Sequence, residues 1–384
     1  MSLTTELRAG GPLADWFTTR FPGHGFAAAT ADLLARAARA PLPPGRLPPE
    51  HWATVGGGVG TRLAWATEPA APYYGLLGTY NAGLTDWAGV NRAAAAFPTH
   101  RPGPGGLSET AAARALWWRP TPTGWVDIAP NAPEPDPTGP GRYPELIDEF
   151  ATRTTAFLDR VPPGGWGSPG EETVLARIAL VLTDWEQAYR RGGQLPELAL
   201  EALYLASGFN DPADLLGFVD PTALDDITRI IAHARREGLL DRLADTAAPR
   251  GNGGVLRGHA FPTFAERWAD GDLLVDPGGG EPTTLIDIKT VTRVRDPAVA
   301  LGWAHQLLGY AYLAALYCPE WNLGRAGLCF ARHAQVISWD LDELAHLLAD
   351  DPGPVIGAFA RHQTGFEGVF HDTLTAQGLQ ATPA

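Results

Sequence analysis

Lysine is nearly missing from this chain. Lys plus Arg total 29 in 384 residues, and only Lys289 is lysine, leaving 29 − 1 = 28 arginines. A Walker A loop needs Gly-Lys-Ser/Thr, and a protein kinase needs a strand lysine behind a Gly-rich loop. Lys289 stands in LIDIKTVT and fits neither, so both classes are excluded and the GGGVG at 56–60 reads as a flexible turn. A GC-rich coding bias accounts for the arginines. It also makes the exception informative, because a position that stays Lys needs an ammonium rather than any cation.

Cysteine is equally scarce. Cys318 and Cys329 are the only two, too few for a four-cysteine zinc site or an iron–sulfur cluster. No apolar run approaches 18 residues, so no membrane-spanning helix is expected. The start, MSLTTELRAGG, has no apolar stretch to act as a secretory signal. A soluble, cytoplasmic protein is expected. HExxH, GxSxG and paired CxxC motifs are absent. The net charge of −14 argues against a general nucleic-acid coating protein. A local basic groove remains compatible with it, from Arg190-Arg191, Arg235-Arg236 or Arg293/Arg295.

What is present has two characters. The length predicts two domains, or one with a large elaboration. Residues 1–215 read as a helical, Trp- and Pro-rich region holding most of the 13 tryptophans. Helical periodicity runs through 25–40, 108–118 and 171–189, where Val174, Ile178, Val181 and Trp185 share a face. Segment 120–144 carries Pro at about every third residue and is expected to be an exposed loop. From 216 to 384 the pattern changes. A long helix (222–245) precedes three strand-like stretches, 255–268, 271–276 and 283–292, the last two joined by PGGGEP. Asp296-Pro297 opens a helix to 317, and two further strands follow at 325–333 and 335–340. An α+β or α/β fold is expected, with a small mixed sheet flanked by helices.

The chemistry concentrates on the third stretch. Strand alternation places Leu285, Asp287, Lys289 and Val291 on one face, with Ile286 and Ile288 on the other. Asp272 begins the preceding hairpin strand, and paired strands lie about 4.8 Å apart, so Asp272 and Asp287 can converge on one cation. With the backbone carbonyl of Ile288 they form a hard oxygen site suited to Mg²⁺, with Mn²⁺ able to substitute. On the following helix Trp303, Gln306, Tyr310, Leu313 and Tyr317 recur at spacings of 3 and 4 and form one seam. Gln306 there either bonds a backbone carbonyl at the seam edge or, with Tyr310, reaches the site's rim. His259 and His305 are expected to be structural, and Cys329 a buried apolar residue.

GDLLVD, then LIDIKT, then QLLGY resembles the PD-(D/E)XK nuclease superfamily, specifically its RecB-type branch with a Q-x-x-x-Y helix. The resemblance covers residues 222 to about 340 and implies an αβββαβ, restriction-endonuclease-like core. It places metal-binding acids on Asp272 and Asp287, the catalytic lysine on Lys289 and the helix motif on Gln306 and Tyr310. A further acid usually comes from the helix before the strands, where Glu237 is the candidate. Gly271 departs from the motif, which has Pro there.

The resemblance implies a Mg²⁺-dependent nuclease that hydrolyses DNA phosphodiester bonds, in phage defence or DNA repair. The helical region 1–215 would then select substrate or dock a protein partner. Two other classes compete: a catalytically silent nuclease-fold protein that grips DNA or a partner, and a phosphoesterase for small nucleotides. DNA versus RNA, endo versus exo action and oligomeric state have no signature in the sequence.

Overall fold

A computed structural model describes residues 3–23, 25–36, 40–43, 49–99, 118–121, 124–127, 143–190, 212–247, 255–265, 268–293, 296–349 and 358–377. Among these the protein mixes helices with short strands and has no closed barrel. It divides into two compact units. One comprises Met1–Ala40, Glu237–Gly258 and Pro262–Ala384; the other comprises Pro41–Arg236 and His259–Phe261. The division falls at 40/41 and 236/237 rather than at 215/216.

The chain opens in the first unit with α1 (Leu3–Ala9), α2 (Pro12–Arg20) and α3 (Gly25–Arg36). The second unit is helical: α4 (Pro49–Thr67), α5 (Tyr73–Asn81), α6 (Trp87–Ala95), α7 (Pro144–Leu158), α8 (Pro169–Arg190), α9 (Pro212–Gly217) and α10 (Pro221–Arg236). Central α8 buries Ile178, Val181 and Trp185, as its periodicity predicts. The GGGVG segment is not a turn but part of α4. A Cβ on Gly57 would come within 2.6 Å of Thr183, and one on Gly58 within 2.5 Å of Ile227. The glycines let α4 lie close to its neighbours, and that packing outweighs a helix cost of about 1 kcal/mol each. Across the same contact, Arg62 grips Glu172 bidentately at 2.7 Å through Nε and Nη2, and the Gly167 N–H donates to Glu172 at 2.6 Å. Within the expected loop, β1 (Trp118–Thr121) and β2 (Gly124–Asp127) pair as an antiparallel hairpin. The rest of 120–142, and the helix expected at 108–118 up to residue 117, lie outside the described residues.

The helix expected over 222–245 is broken. After α10 ends, Gly238 takes φ +69° and α11 (Leu239–Ala247) begins. Glycine adopts this left-handed conformation without the Cβ penalty and so ends the helix there. The stretch 255–268 likewise divides, into β3 (Gly258–Ala260) and β4 (Thr263–Ala265), around Phe261 at φ +55°. Then follow β5 (Ala269–Asp270), β6 (Leu273–Val275), β7 (Thr283–Lys289), α12 (Pro297–Tyr317), β8 (Leu323–Phe330), β9 (Gln335–Asp340), α13 (Leu341–Leu348) and α14 (Ala358–Ala376).

The main sheet runs β3-β6-β7-β8-β9, and β4-β5 form a separate pair. β6 and β7 are antiparallel, β7 and β8 parallel, β8 and β9 antiparallel. The parallel step requires a crossover, and α12 supplies it. On one sheet face the Thr284 hydroxyl donates to the Thr246 carbonyl of α11 at 3.3 Å. α12 packs on the other. From Trp303 to Ala314 every residue of α12 is buried, so it needs cover on the side away from the sheet as well. The helices α1, α3, α13 and α14 provide it. Leu3, Leu13, Phe17, Phe21 and Phe26 are all at 0% exposure in the same core as Leu307 and Tyr312.

Candidate active site

Strand register brings the two acids together. Leu273 pairs with Ile286 and Leu274 with Leu285, so one step outward sets Asp272 opposite Asp287. Asp272 Oδ2 accepts the Ile288 N–H at 2.5 Å, a tie the alternation pattern does not reveal. Gly271, where the motif has Pro, donates its N–H to the Pro262 carbonyl at 2.8 Å, a bond proline cannot make.

The lysine lies on the α12 side of β7. Its Nζ sits 2.5 Å from Asp287 Oδ2, an ion pair by distance without hydrogen-bond alignment. The same Nζ donates to Gln306 Oε1 at 3.2 Å, and Gln306 Nε2 donates to the Tyr310 hydroxyl at 2.8 Å. Lys289 also stands 5.7 Å from the centre of the Trp303 ring. Gln306 and Tyr310 therefore do not lie at a rim, and among the described residues Gln306 bonds no backbone carbonyl. Both are buried and their partners are side chains. Helix spacing places them on one face; the strand that face meets determines what they touch.

Electrostatics mark Asp272. Its carboxyl is pushed up to about 7, first by burial and then by the Asp287 charge, while the Ile288 N–H and Lys289 pull the other way. Protein atoms crowd the carboxylate although the residue retains some accessible surface. The Tyr310 hydroxyl is raised well above its ordinary value, first by burial and then by Asp270 and Asp287, and so stays neutral. Burial likewise pushes up the Cys329 thiol, in keeping with a packing residue.

Other expected residues fall elsewhere. Glu237 sits half-buried in the turn after α10. Its charge is not among those acting on Asp272; the acid acting there besides Asp287 is Asp270, at the end of β5. Sequence reasoning missed Asp270 because β5 is only two residues long. His305 is structural: Nε2 bonds the Phe21 carbonyl at 2.8 Å and the ring stacks on Phe17. His259 approaches Glu68 at 3.8 Å in the helical unit. Two further residues hold the chain just beyond the end of β7. From the turn after β8, Arg332 Nε donates to the Thr290 carbonyl at 3.0 Å and His333 Nε2 bonds the Thr292 carbonyl at 3.1 Å.

Among the described residues no three of His, Cys, Asp and Glu gather into a metal-binding group. The pair still fits a hard dication. Asp272 and Asp287 each commit one oxygen, to the Ile288 N–H and to Lys289, and Oδ1 of each makes no hydrogen bond or ion pair among the described residues. Two crowded carboxylates, one with its proton affinity raised by the other, favour a cation between them. Comparison with protein-family models, with curated proteins and with solved structures finds no match to this chain.

Proposed function

We propose that the chain is a Mg²⁺-dependent nuclease that hydrolyses DNA phosphodiester bonds, built on an αβββαβ core formed by α11, strands β3, β6 and β7, then α12 and β8. The observation that carries this reading is the convergence of Asp272, Asp287 and the lone lysine at the end of one hairpin. Asp272, Asp287 and the Ile288 carbonyl would hold Mg²⁺, or Mn²⁺ in its place. When bound, the metal supplies positive charge to a phosphate oxygen and acidifies water.

The chain's own residues do the rest. Lys289 places an ammonium beside Asp287, where its charge can neutralise charge developing on the phosphate. Asp287 keeps that ammonium at the acid pair. Gln306 fixes its position from the helix side. A PD-(D/E)XK relationship is part of this proposal and accounts for the order of the three motifs. Phage defence and DNA repair are the settings in which such a nuclease would act.

The test is cleavage of plasmid and single-stranded DNA with Mg²⁺, Mn²⁺ or EDTA, for the wild type and Asp287→Ala. Metal-dependent cleavage lost in the variant, with its circular dichroism unchanged, is expected. DNA retention without cleavage would favour a silent binding protein. Turnover of small phosphate esters alone would favour a phosphoesterase. Full cleavage by Asp287→Ala would refute the site.

A further inference from the structure

We propose that Trp303, Gln306 and Tyr310 form a positioning cage that directs the Lys289 ammonium at Asp287. Trp303 belongs to none of the three motifs, and Gln306 and Tyr310 here act through the lysine rather than on a substrate. The consequence for cleavage rests on the nuclease reading; the cage itself does not.

An ammonium has three donors and no acceptor. At Lys289 one side faces Asp287 Oδ2 at 2.5 Å and another Gln306 Oε1 at 3.2 Å. The Trp303 ring, centred 5.7 Å away, closes a third, within the range at which an aromatic face attracts a cation. Because Lys289 can only donate, the Gln306 amide must turn its oxygen toward it. The amide NH₂ then points away and, being buried, needs an acceptor. Tyr310 supplies one at 2.8 Å, so the hydroxyl holds the amide in the one orientation that serves the lysine. Each wall is itself backed. Tyr310 packs on Phe264 at 5.4 Å between ring centres. Trp303 meets Phe330 edge-on at 5.9 Å, and Phe330 is the residue paired with Lys289 across β7 and β8.

A chain with one lysine permits a direct test. Amine acylation consumes only the uncharged, reachable amine, and peptide mapping separates Lys289 from the terminal amine. In the wild type at pH 8, Lys289 should label at least about tenfold more slowly than in the urea-unfolded chain, because Asp287, Gln306 and Trp303 cover the amine; tenfold is about the worth of one hydrogen bond to a charged group. Tyr310→Phe, which keeps the ring, should speed labelling severalfold, and Gln306→Leu should do the same. Gln306→Glu, which puts a carboxylate at the same place, should slow it below the wild type. A merely structural role would not separate Glu from Leu in opposite directions. Equal labelling in the wild type, Tyr310→Phe and Gln306→Glu overturns the cage, and those two conservative variants decide the matter if Gln306→Leu fails to fold. Slowed labelling in a wild type that cuts no nucleic acid would leave the cage standing and remove the nuclease reading. Cleavage with unaltered labelling would do the reverse.

Discussion

Asp272 concentrates the strain of the site in one titration. An acid whose folded pKa lies above its unfolded value binds its proton more tightly in the folded state. The folded chain therefore carries more protons than the unfolded chain between about 4, where an unfolded Asp titrates, and about 7, where the folded one does. By linkage, this group's contribution to stability falls as pH rises through that window and levels off above it. Asp272→Asn can still accept the Ile288 N–H but does not titrate. In EDTA its unfolding midpoint should match the wild type near pH 4 and exceed it by pH 8. A gap that stays constant from pH 4 to 8 would show that Asp272 has ordinary acidity. At Lys289 the expected effect is on rate. Lys289→Arg keeps the charge, but a planar guanidinium cannot occupy the place of a compact ammonium between Asp287 and Gln306. A loss of about 10²-fold in Mg²⁺-dependent cleavage is expected, the scale of one misplaced catalytic group. Wild-type turnover by the Arg variant would reduce Lys289 to a charge-balancing residue.

At the scale of elements, the site depends on where α12 begins. Asp296 caps it, its Oδ1 accepting the Ala298 N–H at 2.9 Å, and Pro297 occupies the first turn. The cap anchors the end of α12 from which Trp303, Gln306 and Tyr310 are counted out at helical spacing. Replacing an Asp cap by Ala costs about 1 kcal/mol. Asp296→Ala should therefore lower the unfolding free energy by about that amount in urea titration, with the m-value unchanged. No loss at all would mean that packing alone sets the start of α12. The broken helix at Gly238 works the opposite way. There one residue at positive φ ends α10 and frees α11 to face the sheet, which an uninterrupted apolar periodicity through 222–245 does not announce.

For the whole molecule, the decisive feature is that the first 40 residues belong to the unit that carries the site. Leu3, Leu13, Phe17, Phe21 and Phe26 are fully buried in its core, and burying such side chains at about 2 kcal/mol each amounts to about 10 kcal/mol. That is comparable with the entire stability of a domain, about 5–15 kcal/mol. A fragment of residues 216–384 should therefore fail to show a cooperative unfolding transition, and co-expression with residues 1–40 as a separate chain should restore it. Cooperative unfolding of 216–384 alone would show that α1–α3 are dispensable cover. No helix among the described residues is long and apolar enough to cross a membrane.

The parts of this protein that could be read in advance are those governed by short-range periodicity. A two-residue strand repeat puts Asp287 and Lys289 on one face, a short glycine loop brings Asp272 beside them, and a helical repeat aligns Trp303, Gln306 and Tyr310. Each relation spans fewer than 20 residues and follows from backbone geometry alone. Partner choice is different. The bond from His305 to the Phe21 carbonyl crosses 284 positions, and nothing local to either residue specifies it. α1–α3 close over α12 because a helix apolar on every side must be covered by whichever chain segment offers a complementary face. The same holds for the GGGVG segment, where only the approach of Thr183 and Ile227 explains why glycines sit inside a helix. It holds also for the Gln306 amide, whose orientation is set by a donor on a strand and an acceptor one helical turn away. Local periodicity thus determined which residues could meet; the competition among apolar faces for cover, and among buried polar groups for partners, decided which ones do.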